Sequence, residues 1–281
     1  MLWLLRRRKM PEYLEFPVRY CSMRTDEEQL FSHKEKMLRL RVDQTAFVLV
    51  DIWDLSRVPD DVPVVAGFKS FQKRADKIVR ERIKPALEAA RAAGLTVVHL
   101  PTNYVAVKYP QHKRLEQQLN MPPSEPKPIP EWPPEEFVKA RRREFDEDRY
   151  FKGFEEKDEK RRRFTYIPKI VEPLEGEYVI STGEQMNEIL KRHGILNLIY
   201  VGFATNMCLI DKPGALREMA YRGYRTVLLR DCTTAVESHN TAKELLMTQV
   251  WIEWVEMVAM AYTALSEKFI QACKVAEGGP G

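Results

Sequence analysis

Two apolar, β-branched runs joined by one long amphipathic stretch constrain this chain more than any other feature. Thr45-Ala-Phe-Val-Leu-Val-Asp51 reads as a buried strand ending on an acid. Phe71, Ala75, Ile78, Val79, Ile83, Leu87 and Ala90 then recur at helical spacing across residues 69–93, and Gly94 closes that helix. Leu95-Thr-Val-Val-His-Leu100 is a second strand. Strand, helix and strand in this order make a βαβ unit, and hence a parallel pair with a right-handed crossover. The pattern returns as a strand at 196–201, a helix at 213–222 stopped by Gly223, and a strand at 225–229. A short strand at 178–180 precedes a helix at 184–193 that Gly194 ends. The expected fold is α/β, a three-layer αβα arrangement with a mostly parallel sheet.

In open sheets of this kind, ligands bind beyond the carboxyl ends of the strands. Asp51, Asn103, Thr182, Cys208 and Asp231 all fall at or just after such ends. Cys208 follows the strand and the small-residue turn Gly202-Phe-Ala-Thr-Asn-Met, and precedes a stretch, 211–221, that reads as helix. A helix N-terminus would lower its thiol pKa, and free N–H groups there could hold an oxyanion. The other reading of any single cysteine is a small buried apolar residue.

The remaining composition narrows the function classes. A net charge of +4, from 45 basic and 41 acidic residues, argues against nucleic acid or an acidic membrane surface as partner. Four widely spaced cysteines, Cys21, Cys208, Cys232 and Cys273, fit a reduced, cytoplasmic setting. Residues 1–44 form an N-terminal arm whose apolar tip and following cations are in the wrong order for a signal peptide; its first nine residues are expected to fray. Residues 45–275 form the main domain, and 276–281 a tail. The βα pattern breaks between about 105 and 166, a long insertion that is Pro-rich at 121–134 and dense in both charge signs at 139–163. It is read as a solvated cover or lid. The apolar stretch at 250–265 carries Glu253 and Glu256 and is too short to span a bilayer.

Three blocks carry a family resemblance: Val48-Leu-Val-Asp51-Ile-Trp, Gly202-Phe-Ala-Thr-Asn-Met-Cys208-Leu, and the run from Met219 to Asp231-Cys-Thr-Thr-Ala235. In this order the sequence resembles the isochorismatase-like cysteine hydrolases, which include nicotinamidases, N-carbamoylsarcosine amidases and isochorismatase. The resemblance implies a cysteine hydrolase that cleaves an amide- or ureide-type C–N bond of a small molecule. It implies Asp51 as general base, Cys208 as nucleophile forming a thioester, and the main-chain N–H groups of Ala204 and Cys208 as oxyanion hole. It also implies a cis peptide between Phe203 and Ala204, and a homo-oligomer. Trp53, Asn103, Tyr104 and Phe203 are candidate pocket residues.

One family feature is missing from its motif position. The family usually has a lysine after the strand at 178–180, where Ser181-Thr182-Gly183 stand instead. Lys169 and Lys108 are nearby in sequence but match no motif position. A lysine from elsewhere, a lysine-free site, and a catalytically inactive scaffold that binds a partner through its insertion therefore all stay open, and the third catalytic residue is unassigned. No cofactor is expected. A zinc site of the nicotinamidase type is not expected either, because His99, His112, His193 and His239 show no ligand-like spacing and Asp54 stands alone. A dinucleotide-binding enzyme is disfavoured because Asp-Ile-Trp-Asp, not GxGxxG, follows the first strand.

Overall fold

The strands at the centre are buried on both faces, so the sheet needs helices on each side of it. The structure, a computed structural model, describes residues 12–59, 62, 68–119, 132–149 and 153–274. Its strands are β1 (Tyr13–Ser22), β2 (Ser32–Arg41), β3 (Thr45–Val50), β4 (Thr96–Leu100), β5 (Tyr178–Val179), β6 (Asn197–Gly202), β7 (Arg225–Leu229) and β8 (Tyr262–Ala264). They form one sheet in the order β2-β1-β8-β7-β6-β3-β4-β5. β8, β7, β6, β3, β4 and β5 run parallel, while β1 pairs antiparallel with both β2 and β8.

The helices are α1 (Phe68–Ile78), α2 (Lys84–Ala92), α3 (Asn103–Ala106), α4 (Pro110–Leu119), α5 (Glu135–Arg149), α6 (Phe154–Phe164), α7 (Gly183–Arg192), α8 (Cys208–Asp211), α9 (Leu216–Tyr221), α10 (Leu246–Met257) and α11 (Ser266–Lys274). One sheet face packs on α1, α2 and α11 through Phe71, Ile83, Leu87 and Phe269. The other packs on α7, α9 and α10 through Met186, Ile189, Leu216, Met219 and Val255. This is the three-layer αβα arrangement. No described helix is long and apolar enough to cross a membrane.

Three local differences from the sequence reading have physical causes. The long helix at 69–93 is interrupted by a π turn at Val79–Ile83. Pro85 offers no N–H and its ring crowds the carbonyl four residues back, so the turn before it widens. The helix read at 211–221 is split into α8 and α9. Pro213 drives Lys212 into an extended conformation (φ −69°, ψ 147°) and so ends the first turn at Asp211. Residues 13–41 of the N-terminal segment are the β1–β2 hairpin, because Leu14, Phe16 and Val18 alternate toward the core and Phe16 meets Phe269 edge-on at 5.9 Å. The apolar tip and cations at 1–9 and most of the Pro-rich run lie outside the described residues. Of the charged stretch, α5 is exposed along its described side chains, whereas α6 buries Asp158 and Arg161.

The strand ends are joined closely where the chain leaves the sheet. Phe203 N–H donates to Val50 O at 2.9 Å, and Asp51 N–H to Leu100 O at 3.2 Å. Gly202 has φ 119°, and a Cβ there would lie 2.0 Å from Val50 O. Gly202→Ala is expected to destabilise the fold by about 3 kcal/mol or more. Urea unfolding checks this, and an unchanged midpoint would show that β3 and β6 can separate at no cost.

Candidate active site

Asp51 leaves β3 in the left-handed region (φ 41°), a conformation uncommon for a residue with a side chain and frequent at functional positions. Its Oδ1 accepts from Thr102 Oγ1 at 2.8 Å and from Lys212 Nζ at 2.7 Å. Lys212 Nζ also donates to Leu100 O at 3.2 Å. The lysine and aspartate side chains are only 8% and 3% exposed, so this ion pair is shielded from water and salt. Asp51 Oδ2 has no hydrogen-bond partner. Cys208, the first residue of α8, lies against this pair and is half-buried.

A cation therefore stands beside the thiol and the carboxylate, delivered from a different place than the family motif. Lys212 is four residues after Cys208. The extended conformation that Pro213 imposes turns it out of the helical path, and its ammonium reaches between the ends of β3 and β4. The signal for it was in the sequence: Lys-Pro-Gly at 212–214 interrupts the helix read there. Lys108 has another task. Its Nζ donates to Arg162 O, Arg163 O and Thr165 O at 2.8–2.9 Å, capping the C-terminal end of α6. Lys169 lines an open cleft outside the ion pair.

The thiol does not behave as a helix N-terminus alone would dictate. Burial first, and then the Asp51 carboxylate, push the Cys208 thiol up to about 12, against the opposing effect of Lys212. A helix of only four residues has little dipole to set against these effects. Burial lowers the Lys212 ammonium from its ordinary value, while Asp51 works to keep it charged. At rest the thiol thus keeps its proton, beside a carboxylate oxygen that is free to take it.

The turn between β6 and α8 has a cis peptide between Phe203 and Ala204. Ala204 O accepts from Met207 N–H and Leu209 N–H, while Thr205 N–H donates to Thr234 O. Among the described residues, neither Ala204 N–H nor Cys208 N–H donates to a backbone carbonyl. Asp51, Trp53, Phe71, Gln72 and Phe203 enclose a cavity of about 10 Å³, room for about one water. A cleft of about 510 Å³ lies next to it and shares Trp53, Gln72 and Val79.

The other residues read from strand ends disperse. Thr182 is the N-cap of α7 in a capping box with Gln185. Asp231 accepts from Ser266 N–H and Oγ at 2.8 and 2.6 Å, tying β7 to the start of α11. Asn103 is exposed in the first turn of α3, and Tyr104 after it is half-buried beneath α6. His99 bonds Glu177 at 3.0 Å, His112 faces Ser181 at 3.2 Å, and His193 bonds Tyr178 at 2.6 Å. Asp54 accepts from Ser56 N–H. Cys232 and Cys273 are buried and free.

The isochorismatase-domain profile matches residues 45–254. The chain belongs to the isochorismatase family. Among characterised relatives of this isochorismatase-family chain, the ureidoacrylate amidohydrolase RutB of Azorhizobium caulinodans is 26% identical over 237 residues, spanning 79% of this chain and 90% of that protein. A cysteine hydrolase from Pseudomonas syringae pv. phaseolicola 1448A is similar in structure, with a TM-score of 0.48 at 14% identity, covering 84% of this chain and 95% of that one. An isochorismatase family protein from Desulfovibrio vulgaris gives a TM-score of 0.46 at 16% identity, covering 80% and 95%. Membership and the RutB relationship make the protein an isochorismatase-family hydrolase.

The raised thiol fixes a pH signature. With the thiol at about 12, alkylation of Cys208 by iodoacetamide is expected to rise about tenfold per pH unit from pH 7 to pH 10. A plateau below pH 8 in a rate–pH profile followed by mass spectrometry would mean that the thiol is already ionised near neutrality.

Proposed function

We propose that this protein is a metal-independent cysteine hydrolase that cleaves the C–N bond of a small amide or ureide. The observation that carries the reading is the buried Asp51–Lys212 pair against Cys208, with Asp51 Oδ2 left unpartnered. The RutB relative, an amidohydrolase, supports the bond type.

On this reading the steps balance as follows. The Cys208 proton passes to Asp51 Oδ2 as sulfur attacks the substrate carbonyl carbon. The carbonyl oxygen gains the negative charge and is held by the N–H groups of Ala204 and Cys208. Collapse breaks the C–N bond, and the proton on Asp51 goes to the leaving nitrogen, which departs as ammonia or an amine. Water then attacks the thioester, giving its proton to Asp51. Collapse of this second intermediate releases the acid, and the proton returns to Cys208. Lys212 keeps Asp51 oriented and offsets the charge that sulfur carries during transfer. The high resting thiol pKa suits this order, since proton transfer accompanies attack instead of preceding it. The alternative, an inactive scaffold, rests on the missing motif lysine and the long charged insertion; the Lys212 ammonium beside Asp51 favours the hydrolase reading.

Ammonia release from a panel of small amides and ureides tests the reading. Cys208→Ala is expected to abolish turnover, and Asp51→Asn and Lys212→Met to lower kcat by about 100- to 10,000-fold each. Turnover that survives in Cys208→Ala would sink the thioester route.

A further inference from the structure

We propose that Trp53 is a positioning residue for the water step: its indole N–H holds the hydrolytic water in the closed compartment beside Asp51. This rests on the hydrolase reading above and assigns the water that the second half of that reaction consumes.

The hollow beyond the strand ends is divided in two. Asp51, Trp53, Gln72 and Phe203, together with Phe71 and Val79, enclose about 10 Å³, which is room for about one water. The open cleft of about 510 Å³ adjoins it through Trp53, Gln72 and Val79. Phe71, Ala75, Val79 and Phe203 make most of the compartment's lining apolar. Six buried side-chain nitrogen and oxygen atoms among the described residues have no hydrogen-bond partner. Two of them belong to residues of this compartment: the acceptor Asp51 Oδ2 and the donor Trp53 Nε1. Gln72 Nε2 donates to Trp53 O at 3.2 Å and to Asp76 Oδ1 at 2.7 Å, which leaves its amide oxygen as a third polar group.

A buried N–H and a buried carboxylate oxygen are each costly when unmet. One water meets both, accepting from the indole and donating to the carboxylate, and it fills the space. A polar site of this size with two or three partners is what an ordered internal water requires. An organic ligand is too large for it, and an anion would stand against Asp51. Cys208 also adjoins Asp51, so the thiol proton is the first that this carboxylate receives. Once sulfur is acylated that proton is gone, and water is the donor that remains for Oδ2.

The step balances. A proton of the water passes to Asp51 Oδ2 while a lone pair of the water oxygen forms the C–O bond at the thioester carbon. The tetrahedral intermediate then breaks its C–S bond, and Asp51 returns the proton to sulfur. The indole keeps its proton throughout and fixes where the water oxygen stands. The ring is itself held: the Arg161 guanidinium lies 5.3 Å from its centre, and Gln72 binds the Trp53 carbonyl.

The test separates the two half-reactions in the full chain with p-nitrophenyl acetate. Acetylation of Cys208 is timed by mass spectrometry, and so is loss of the acetyl group after gel filtration removes the ester. Trp53→Phe keeps an aromatic ring beside Arg161 but has no N–H. Its acetylation should stay within about threefold of the unsubstituted chain, while its deacetylation should slow about 10- to 100-fold. Trp254→Phe, on α10 against Trp251, should leave both rates intact. If Trp53→Phe does not fold by circular dichroism, Trp53 is replaced by benzothienylalanine, whose sulfur stands in place of the indole N–H, and the same two rates are read. Deacetylation that stays within about threefold, or acetylation slowed as much as deacetylation, would overturn the water site and leave the hydrolase reading standing. No acetylation of Cys208 in the unsubstituted chain would instead overturn the hydrolase reading, and the water step with it.

Discussion

The ion pair between Asp51 and Lys212 is the contact on which the carboxyl end of the sheet depends. Both groups are almost wholly removed from water, and a charge in that setting persists only with a partner. The pair brings together two distant parts of the chain: the exit of β3 and the Lys-Pro-Gly break after α8. It also reaches β4 through Leu100 O and Thr102. The ends of β3 and β4 are therefore joined through one lysine beside Cys208, and its removal would leave a stranded carboxylate. The same arrangement leaves Asp51 Oδ2 without a hydrogen-bond partner, on a carboxylate that adjoins the thiol.

Electrostatics at Cys208 follow from that sharing. A cysteine at the start of a long exposed helix would be expected to ionise easily. Here the helix is one turn, the thiol is well covered, and a carboxylate adjoins it. Each of these favours the neutral thiol, and only Lys212 and the main-chain N–H oppose them. A neutral thiol is less open to oxidation and alkylation than a thiolate.

The charge-dense α6 is more than a solvated surface. Most of its side chains face water, but Asp158 and Arg161 turn inward and are fixed together. Lys108, which had no evident role from its position after β4, holds the helix by its last carbonyls. Trp53 and Tyr104 then lie between this helix and Asp51, linking the cover to the strand ends.

Much of this molecule was legible in its residues. Alternating strand runs and amphipathic helices dictated a parallel sheet between two helical layers, and the blocks around Asp51 and Cys208 were readable because strand-end residues must converge. Thr182 and Asp231 satisfied the same positional rule yet became a helix cap and a tether, since position at a strand end says nothing about which way a side chain finds a partner. The β1–β2 hairpin carried its alternation in Leu14, Phe16 and Val18, but a hairpin's place at the sheet edge depends on which apolar face is left for it to cover. Tertiary structure alone decided the rest. Lys212 became the partner of Asp51 because Pro213 breaks a helix at a point that happens to face β3 and β4. Arg161 was buried because α6 packs over Trp53 and Tyr104. Local sequence sets what each segment can form, but pairing energies between buried charges arise only when segments far apart in the chain are packed out of water.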